Sequence, residues 1–319
     1  MLNDTYENPY GCLLFIHCSE VSPDNDCSCT SLSFQLLARL GSRPSIKDIE
    51  LTLFPSGAYP KDVIEISGEE GTGKTELLLH FLSQIILPKT YSGKNIGGIE
   101  AKAIFIDLDY KFSILRLASI LEKKILRELD KNGLSPSCEE VESVIKQCLS
   151  NCLVLKCSSS AQLIVTLESL QKTVAEDPNI VAIFMDPISA FYWVDKCSHG
   201  DGISVLTPNM KLIKESLSKL LNGYNLTLFA SKALIFRNKG KFKDDAQDGN
   251  PFGESDTSKY SHIEYLPKSW ENFVQKRYTL EIASTEADGR GIFSIKSCNL
   301  NIPMSLNFKI NESGVTFLV

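Results

Sequence analysis

No apolar run in this sequence approaches the roughly 18–20 residues that a membrane-spanning helix needs, so no membrane partner is expected. A basic leader is missing too. Asp4 and Glu7 precede the short apolar stretch from Cys12 to Cys18, where a secretory signal would carry lysine or arginine. Cationic excess is absent: 33 Lys and Arg stand against 39 Asp and Glu, a net charge of -6. That balance excludes a generally basic, nucleic-acid-coating surface and leaves room only for local basic loops. Paired Cys-x-x-Cys knuckles are lacking among the ten cysteines. The densest ligand group, Cys12, His17, Cys18, Cys27 and Cys29, does not have zinc-site spacing and reads as a cysteine-containing tail. Cys148, Cys152 and Cys157 fall inside apolar elements, as free thiols of a reducing compartment do. No internal repeat is evident.

What is present is alternation. Residues 1–32 are turn-rich and read as a disordered extension; the core is expected over 33–319, opening on a helical pattern at Ser33–Leu40. Strands are expected at Val63–Ser67, Ala103–Asp107, Cys152–Lys156, Ile180–Asp186 and Leu226–Ala230. Helices are expected at Lys74–Leu87, Phe112–Leu129, Glu139–Leu149, Ala161–Val174 and Asn209–Leu221. Strands alternating with helices imply a buried, mostly parallel sheet flanked by helices, an α/β fold. The tail differs: Tyr278–Ala283, Gly291–Ser297, Leu306–Ile310 and Val315–Val319 have no helices between them and predict antiparallel strands at one sheet edge. Residues 238–259 are polar, rich in Gly and Asp, and predict a mobile loop.

The residues that carry chemistry begin at Gly68. Gly68-Glu69-Glu70-Gly71-Thr72-Gly73-Lys74-Thr75 matches G-x-x-x-x-G-K-[ST] between an expected strand and an expected helix. Glycines there let backbone N–H groups turn inward around phosphate oxygens, and the helix N-terminus adds its positive dipole end. Lys74 is placed to reach the outer phosphates of ATP, and the Thr75 hydroxyl to ligate Mg²⁺. Asp186 ends an apolar strand, where a carboxylate faces the ligand crevice of an open α/β sheet, and is expected to hold Mg²⁺ through water. Asp107 and Asp109 end another strand, and Asp109 is the candidate for orienting the attacking water. Arg237, Lys239, Lys241 and Lys243 form a short basic run interleaved with Phe236 and Phe242. It could meet single-stranded DNA, but Asp244, Asp245 and Asp248 follow at once, and a solvated loop is the simpler reading.

Taken in order, Glu70–Glu76, Phe105–Phe112, Leu115–Leu117, Cys157–Ser160, Ser189–Trp193, Trp270 with Arg277, and Glu312–Val315 resemble the eukaryotic RecA-type recombinases. More narrowly, the spaced set is similar to their paralogues, and it covers about residues 33–319. The resemblance implies a RecA-like ATP-binding core, with Arg116 packed on adenine as a planar guanidinium can. It implies a nuclear role in homologous-recombination repair. The chain would be a subunit of a heteromeric complex of sister paralogues that assists the strand-exchange filament on single-stranded or branched DNA.

Departures from the strand-exchange members limit the enzyme expected. Asp109 stands where they carry glutamate, and a displacement of about 1 Å can cost on the order of 10²-fold in rate. Ala233 stands near their phosphate-sensing glutamine, and Pro187 replaces a serine. At most a weak DNA-dependent ATPase follows; the alternative is a self-sufficient DNA-stimulated ATPase of the same fold. The phosphate loop at Gly68 leaves no room ahead of it for the family's N-terminal helical domain and outgoing linker, so the resemblance implies a terminal subunit.

Overall fold

Apolar residues occupy both faces of the central strands, which forces helices onto both sides of the sheet. The computed structural model describes residues 43–133, 136–197, 205–238, 260–285, 291–297 and 304–318. The expected disordered extension over 1–32, the helical pattern at Ser33–Leu40, the N-terminal cysteine group and the loop segment 239–259 lie outside these residues.

The first strand, β1 (Val63–Gly68), leads into α1 (Lys74–Ile86). A two-strand hairpin, β2 (Thr90–Tyr91) and β3 (Lys94–Asn95), connects to β4 (Lys102–Asp107). Then come α2 (Ile114–Lys131), α3 (Cys138–Ser150), β5 (Cys152–Lys156), α4 (Ser160–Glu176), β6 (Ile180–Asp186), α5 (Tyr192–Cys197) and α6 (Leu206–Tyr224). The chain continues through β7 (Thr227–Ala233), the small ladder of β8 (Ile235–Asn238) and β9 (Tyr260–Ile263), and α7 (Lys268–Glu271). It ends in β10 (Lys276–Thr285), β11 (Gly291–Ser297), β12 (Ser305–Asn311) and β13 (Gly314–Leu318).

Nine strands form the main sheet in the order β13-β12-β11-β10-β1-β7-β6-β4-β5. All neighbours from β10 to β5 run parallel, and β10 to β13 are antiparallel. The four C-terminal strands form the expected antiparallel edge, and its first strand joins it to the rest of the sheet. β10 is a parallel member, because the excursion through β8, β9 and α7 carries the chain back to the starting end of the sheet before it enters beside β1.

Period-two alternation divides the core. Ile64, Ile66, Phe105, Phe184 and Phe229 face α1, α2 and α3. Val63, Ile104, Ile106, Ile183, Met185 and Leu228 face α4, α6 and α7. On the first face Phe105, Phe184 and Phe229 sit in register on adjacent strands, with ring centroids 6.1 and 5.0 Å apart. Phe81, Phe54 and Tyr278 extend this row. α2 buries Leu117, Ile120, Leu121, Ile125 and Leu129 at helical spacing, with Ser113 accepting the Arg116 amide as its N-cap. Lys124 interrupts that stripe and is buried, its ammonium donating to Ser83 Oγ at 2.7 Å and the His80 carbonyl at 3.3 Å. At the start of the described chain Arg43 donates to the carbonyls of Val174, Asp177 and Ile180, closing the C-terminal end of α4.

Candidate functional site

The C-terminal ends of β1, β4, β6 and β7 bring Gly68, Asp107, Asp186 and Ala233 to one rim of the sheet. A cavity of about 680 Å³ opens above it. Glu70, Gly71, Gly73, Lys74 and Thr75 line it together with Asp109, Lys111, Asp186 and Ala233.

The turn from β1 into α1 needs its glycines. Gly71 and Gly73 have φ of 80 and 87°, in the left-handed region. A Cβ on Gly73 would lie 2.5 Å from Ile310 Cδ1, and one on Gly68 would lie 2.5 Å from Thr72 Oγ1. Among the described residues, the amides of Gly71, Gly73, Lys74 and Thr75 find no protein acceptor. They form a concave row of donors at the open start of α1, a shape suited to an anion. Lys74 curls back over the loop and donates to the carbonyls of Glu69 at 2.6 Å and Gly68 at 3.0 Å. Its burial lowers its ammonium below the usual lysine range, opposed by Asp186.

Thr75 and Asp186 meet directly, Thr75 Oγ1 donating to Asp186 Oδ2 at 2.6 Å. Ser231 on β7 donates to the other carboxylate oxygen. Burial raises the Asp186 carboxyl above its ordinary range, and the Ser231 and Thr75 hydrogen bonds oppose it. The donor set is all oxygen, which fits a hard divalent cation such as Mg²⁺, held by the Thr75 hydroxyl with Asp186 behind it. Among the described residues no group of three or more His, Cys, Asp or Glu side chains gathers as a metal site, here or elsewhere. The peptide bond between Asp186 and Pro187 is cis.

The two aspartates of β4 divide. Asp107 does not line the cavity; its carboxylate accepts the amides of Lys111 and Phe112, each at 3.2 Å, and so fixes the turn after the strand. Asp109 does line it, with Oδ2 3.1 Å from the Lys111 ammonium and Oδ1 buried without a partner. Arg116 lies outside the cavity lining. Its guanidinium edge is filled by Glu76, with Nε 2.9 Å from Oε1 and Nη2 2.8 Å from Oε2, and by the carbonyls of Asn311 and Glu312. Only its planar faces remain for a base. Arg237 sits on β8, while Lys239, Lys241 and Lys243 lie outside the described residues.

Sequence reasoning missed the far wall of the cavity, formed by Tyr192, Trp193, Ile235 and Tyr265. Tyr192 and Tyr265 pack edge to face at 4.5 Å, and Tyr265 donates its hydroxyl to the Ala233 carbonyl at 2.5 Å. The stretch Ser189–Trp193 held a signal as an aromatic cluster just after Asp186. Tyr265, beyond a long polar stretch, held none. Behind this wall a buried network crosses three strands. Glu65 Oε1 lies 3.1 Å from Lys232 Nζ and 2.7 Å from Arg277 Nε, and Trp270 donates to Glu65 Oε2 at 2.7 Å. Glu264 takes the other side of Lys232 at 2.7 Å. Trp270 and Arg277 thus stand at a fixed spacing because both hold one buried carboxylate.

A mostly parallel sheet, helices on both faces, a glycine loop at the first strand end and antiparallel strands on one edge define a RecA-like core. No family model matches the sequence. Curated relatives do. The mouse (Mus musculus) DNA repair protein XRCC2 is 33% identical over 287 residues, which cover 89% of this chain and 95% of that protein. A DNA repair protein XRCC2 homolog from Arabidopsis thaliana is 27% identical over 251 residues, covering 67% of each. The chain belongs to the XRCC2 family of DNA repair proteins.

Proposed function

We propose that this chain binds ATP with Mg²⁺ at Gly68–Thr75 and serves homologous-recombination repair in the nucleus. In this reading it is a subunit of a hetero-oligomer of sister paralogues that supports the strand-exchange filament on single-stranded or branched DNA. The observation that carries the nucleotide part is the convergence of Lys74, Thr75 and Asp186 beneath a row of open amides. Those amides and Lys74 would take the phosphates, the Thr75 hydroxyl the metal, and Asp186 a metal-bound water. Mg²⁺ when bound neutralises phosphate charge. Arg116, fixed at its edge by Glu76, would offer a face to the base.

Weak turnover fits the same geometry. Asp109 reaches one methylene less far than a glutamate would, and Ala233 has no side-chain amide to read a terminal phosphate. The paralogue contact is assigned to β5, which pairs on one side with β4 and ends the sheet on the other. An extended segment of a partner can add to such an edge.

Equilibrium titration of the full chain with ATP and Mg²⁺ tests the nucleotide site. Lys74→Ala should weaken binding at least tenfold, as loss of a charge-assisted phosphate contact does. Wild type that binds no nucleotide, alone or with its partners, sinks the reading. Hydrolysis near ~10 s⁻¹, ordinary for a competent enzyme, on adding single-stranded DNA would instead favour the self-sufficient ATPase. Purification of the chain from cells with identification of its partners tests the complex.

A further inference from the structure

Lys111 has no role in the site as read from the sequence, yet it lines the same cavity as Lys74, Thr75 and Asp186. Its position is built. Tyr110 takes a left-handed φ of 63°, and the Asp107 carboxylate holds the following two amides, so the chain folds back and sends Lys111 over the phosphate loop. There Nζ lies 3.1 Å from Asp109 Oδ2 and 3.6 Å from Glu70 Oε1. Glu70 belongs to the loop and its side chain is 93% exposed, so that pair is solvent-screened and easily exchanged. Asp109 is the stronger partner.

We propose that Lys111 senses the terminal phosphate of a bound nucleoside triphosphate, exchanging its contacts with Glu70 and Asp109 for that phosphate. The inference rests on the nucleotide-binding reading of the loop. A triphosphate brings a third phosphate, with its charged oxygens, into the cavity beyond the two that a diphosphate also carries. Lys111 is the second ammonium on the cavity wall, and its four-carbon stem can move without disturbing the backbone that Asp107 fixes. The exchange releases Asp109, whose inner oxygen is already buried without a donor. While the pair holds, the Lys111 ammonium faces the Asp109 carboxylate; when Lys111 turns to the phosphate, that carboxylate loses its ion-pair partner.

The test is calorimetric titration of the full chain with AMP-PNP and with ADP, both with Mg²⁺. The readout is the ratio of the two dissociation constants. Lys111→Ala should lower the preference for the triphosphate by about 10-fold, as expected for one charge-assisted contact, and Lys111→Arg should keep it. Asp109→Asn should raise the preference in wild type and leave it unchanged in the Lys111→Ala background. A ratio in Lys111→Ala within about twofold of wild type, less than one such contact is worth, overturns the assignment and leaves nucleotide binding intact. Collapse in Lys111→Arg as well would point to shape, not charge, and also overturns it. Wild type that binds neither nucleotide removes the binding reading and this inference together. The Lys111 side chain is 61% exposed, so circular dichroism of all variants should match wild type.

Discussion

Glu65→Ala should be among the most damaging single changes outside the phosphate loop. The side chains of Glu65 and Lys232 are fully buried, and Trp270 has no exposed surface. In the native network Glu65 receives two cations and an indole N–H, while Glu264 receives Lys232 from the other side. Removing Glu65 leaves two cations facing one carboxylate and strands the Trp270 donor at 0% exposure. Breaking a buried pair by removing one partner costs about 3–5 kcal/mol, and an orphaned buried donor alone costs about 1–3 kcal/mol of that. Against a typical domain stability of about 5–15 kcal/mol, this is a large share. Glu65→Gln keeps an acceptor for Trp270 and should lose roughly half as much, the part due to charge. A Glu65→Leu, Lys232→Met double variant removes both charges with apolar groups of similar size, and should cost much less than the single changes added together. Urea unfolding followed by fluorescence suits the question, because Trp270 and Trp193 are the two tryptophans and Trp270 reports from inside the network. If Glu65→Ala lowers stability by less than about 1 kcal/mol, or if the double variant is as damaged as the sum, the reasoning about uncompensated charge is wrong.

Three further outcomes follow. Gly73→Ala should fold but lose nucleotide affinity on titration, because φ of 87° and the 2.5 Å approach of Ile310 both oppose a Cβ there; unchanged affinity would refute the need for that turn. Burial pushes the Lys124 pKa down to about 7 from an ordinary lysine's 10.5, so the unfolded chain binds more protons between these limits. Stability should therefore rise by about 1–2 kcal/mol from pH 7 to pH 8.5 and be lost as pH falls toward 7; Lys124→Met should flatten that rise in urea titrations at each pH. On β5 the Asn151 carbonyl and the Cys157 amide bond to β4, which turns the backbone of Val154 outward by alternation. Val154→Pro removes an outward donor and should abolish co-purification of a sister paralogue with the circular dichroism unchanged, whereas removing residues 1–32 should leave it nearly intact.

The parallel half of the fold was legible because its strands are fully apolar runs broken by amphipathic helices. Ile180–Asp186 is such a run, and its bounds match β6. The loop at Gly68–Thr75 and the placing of Asp186 beside Thr75 were legible for the same reason: strand ends fix where side chains converge. Three features were not. The direction of β10 depends on where the preceding excursion delivers the chain, and Tyr278–Ala283 carries no mark of it. The role of Asp107 as a turn anchor depends on two amides that follow it, so the sequence could single out Asp109 without showing what Asp107 does. The Glu65 network joins residues more than 200 positions apart, and a single Glu inside an apolar strand shows a conflict without naming what resolves it.

That conflict bears on how the rim of the sheet keeps its shape. Three successive residues at the end of β7 are held from different directions. Ser231 donates to Asp186 on the loop face, Lys232 turns to the opposite face and the Glu65 network, and Ala233 donates its amide to Ser189 Oγ and accepts the Tyr265 hydroxyl on its carbonyl. A strand end fixed on both faces does not need a nucleotide or a sensing side chain to stay in place. Substitutions that unfold the chain should therefore gather around Glu65 and Lys232, on the face away from the loop. Substitutions that change nucleotide preference should gather around Lys74, Asp109 and Lys111. Measured separately, stability and affinity should move independently across these two sets, because the sheet stands between them.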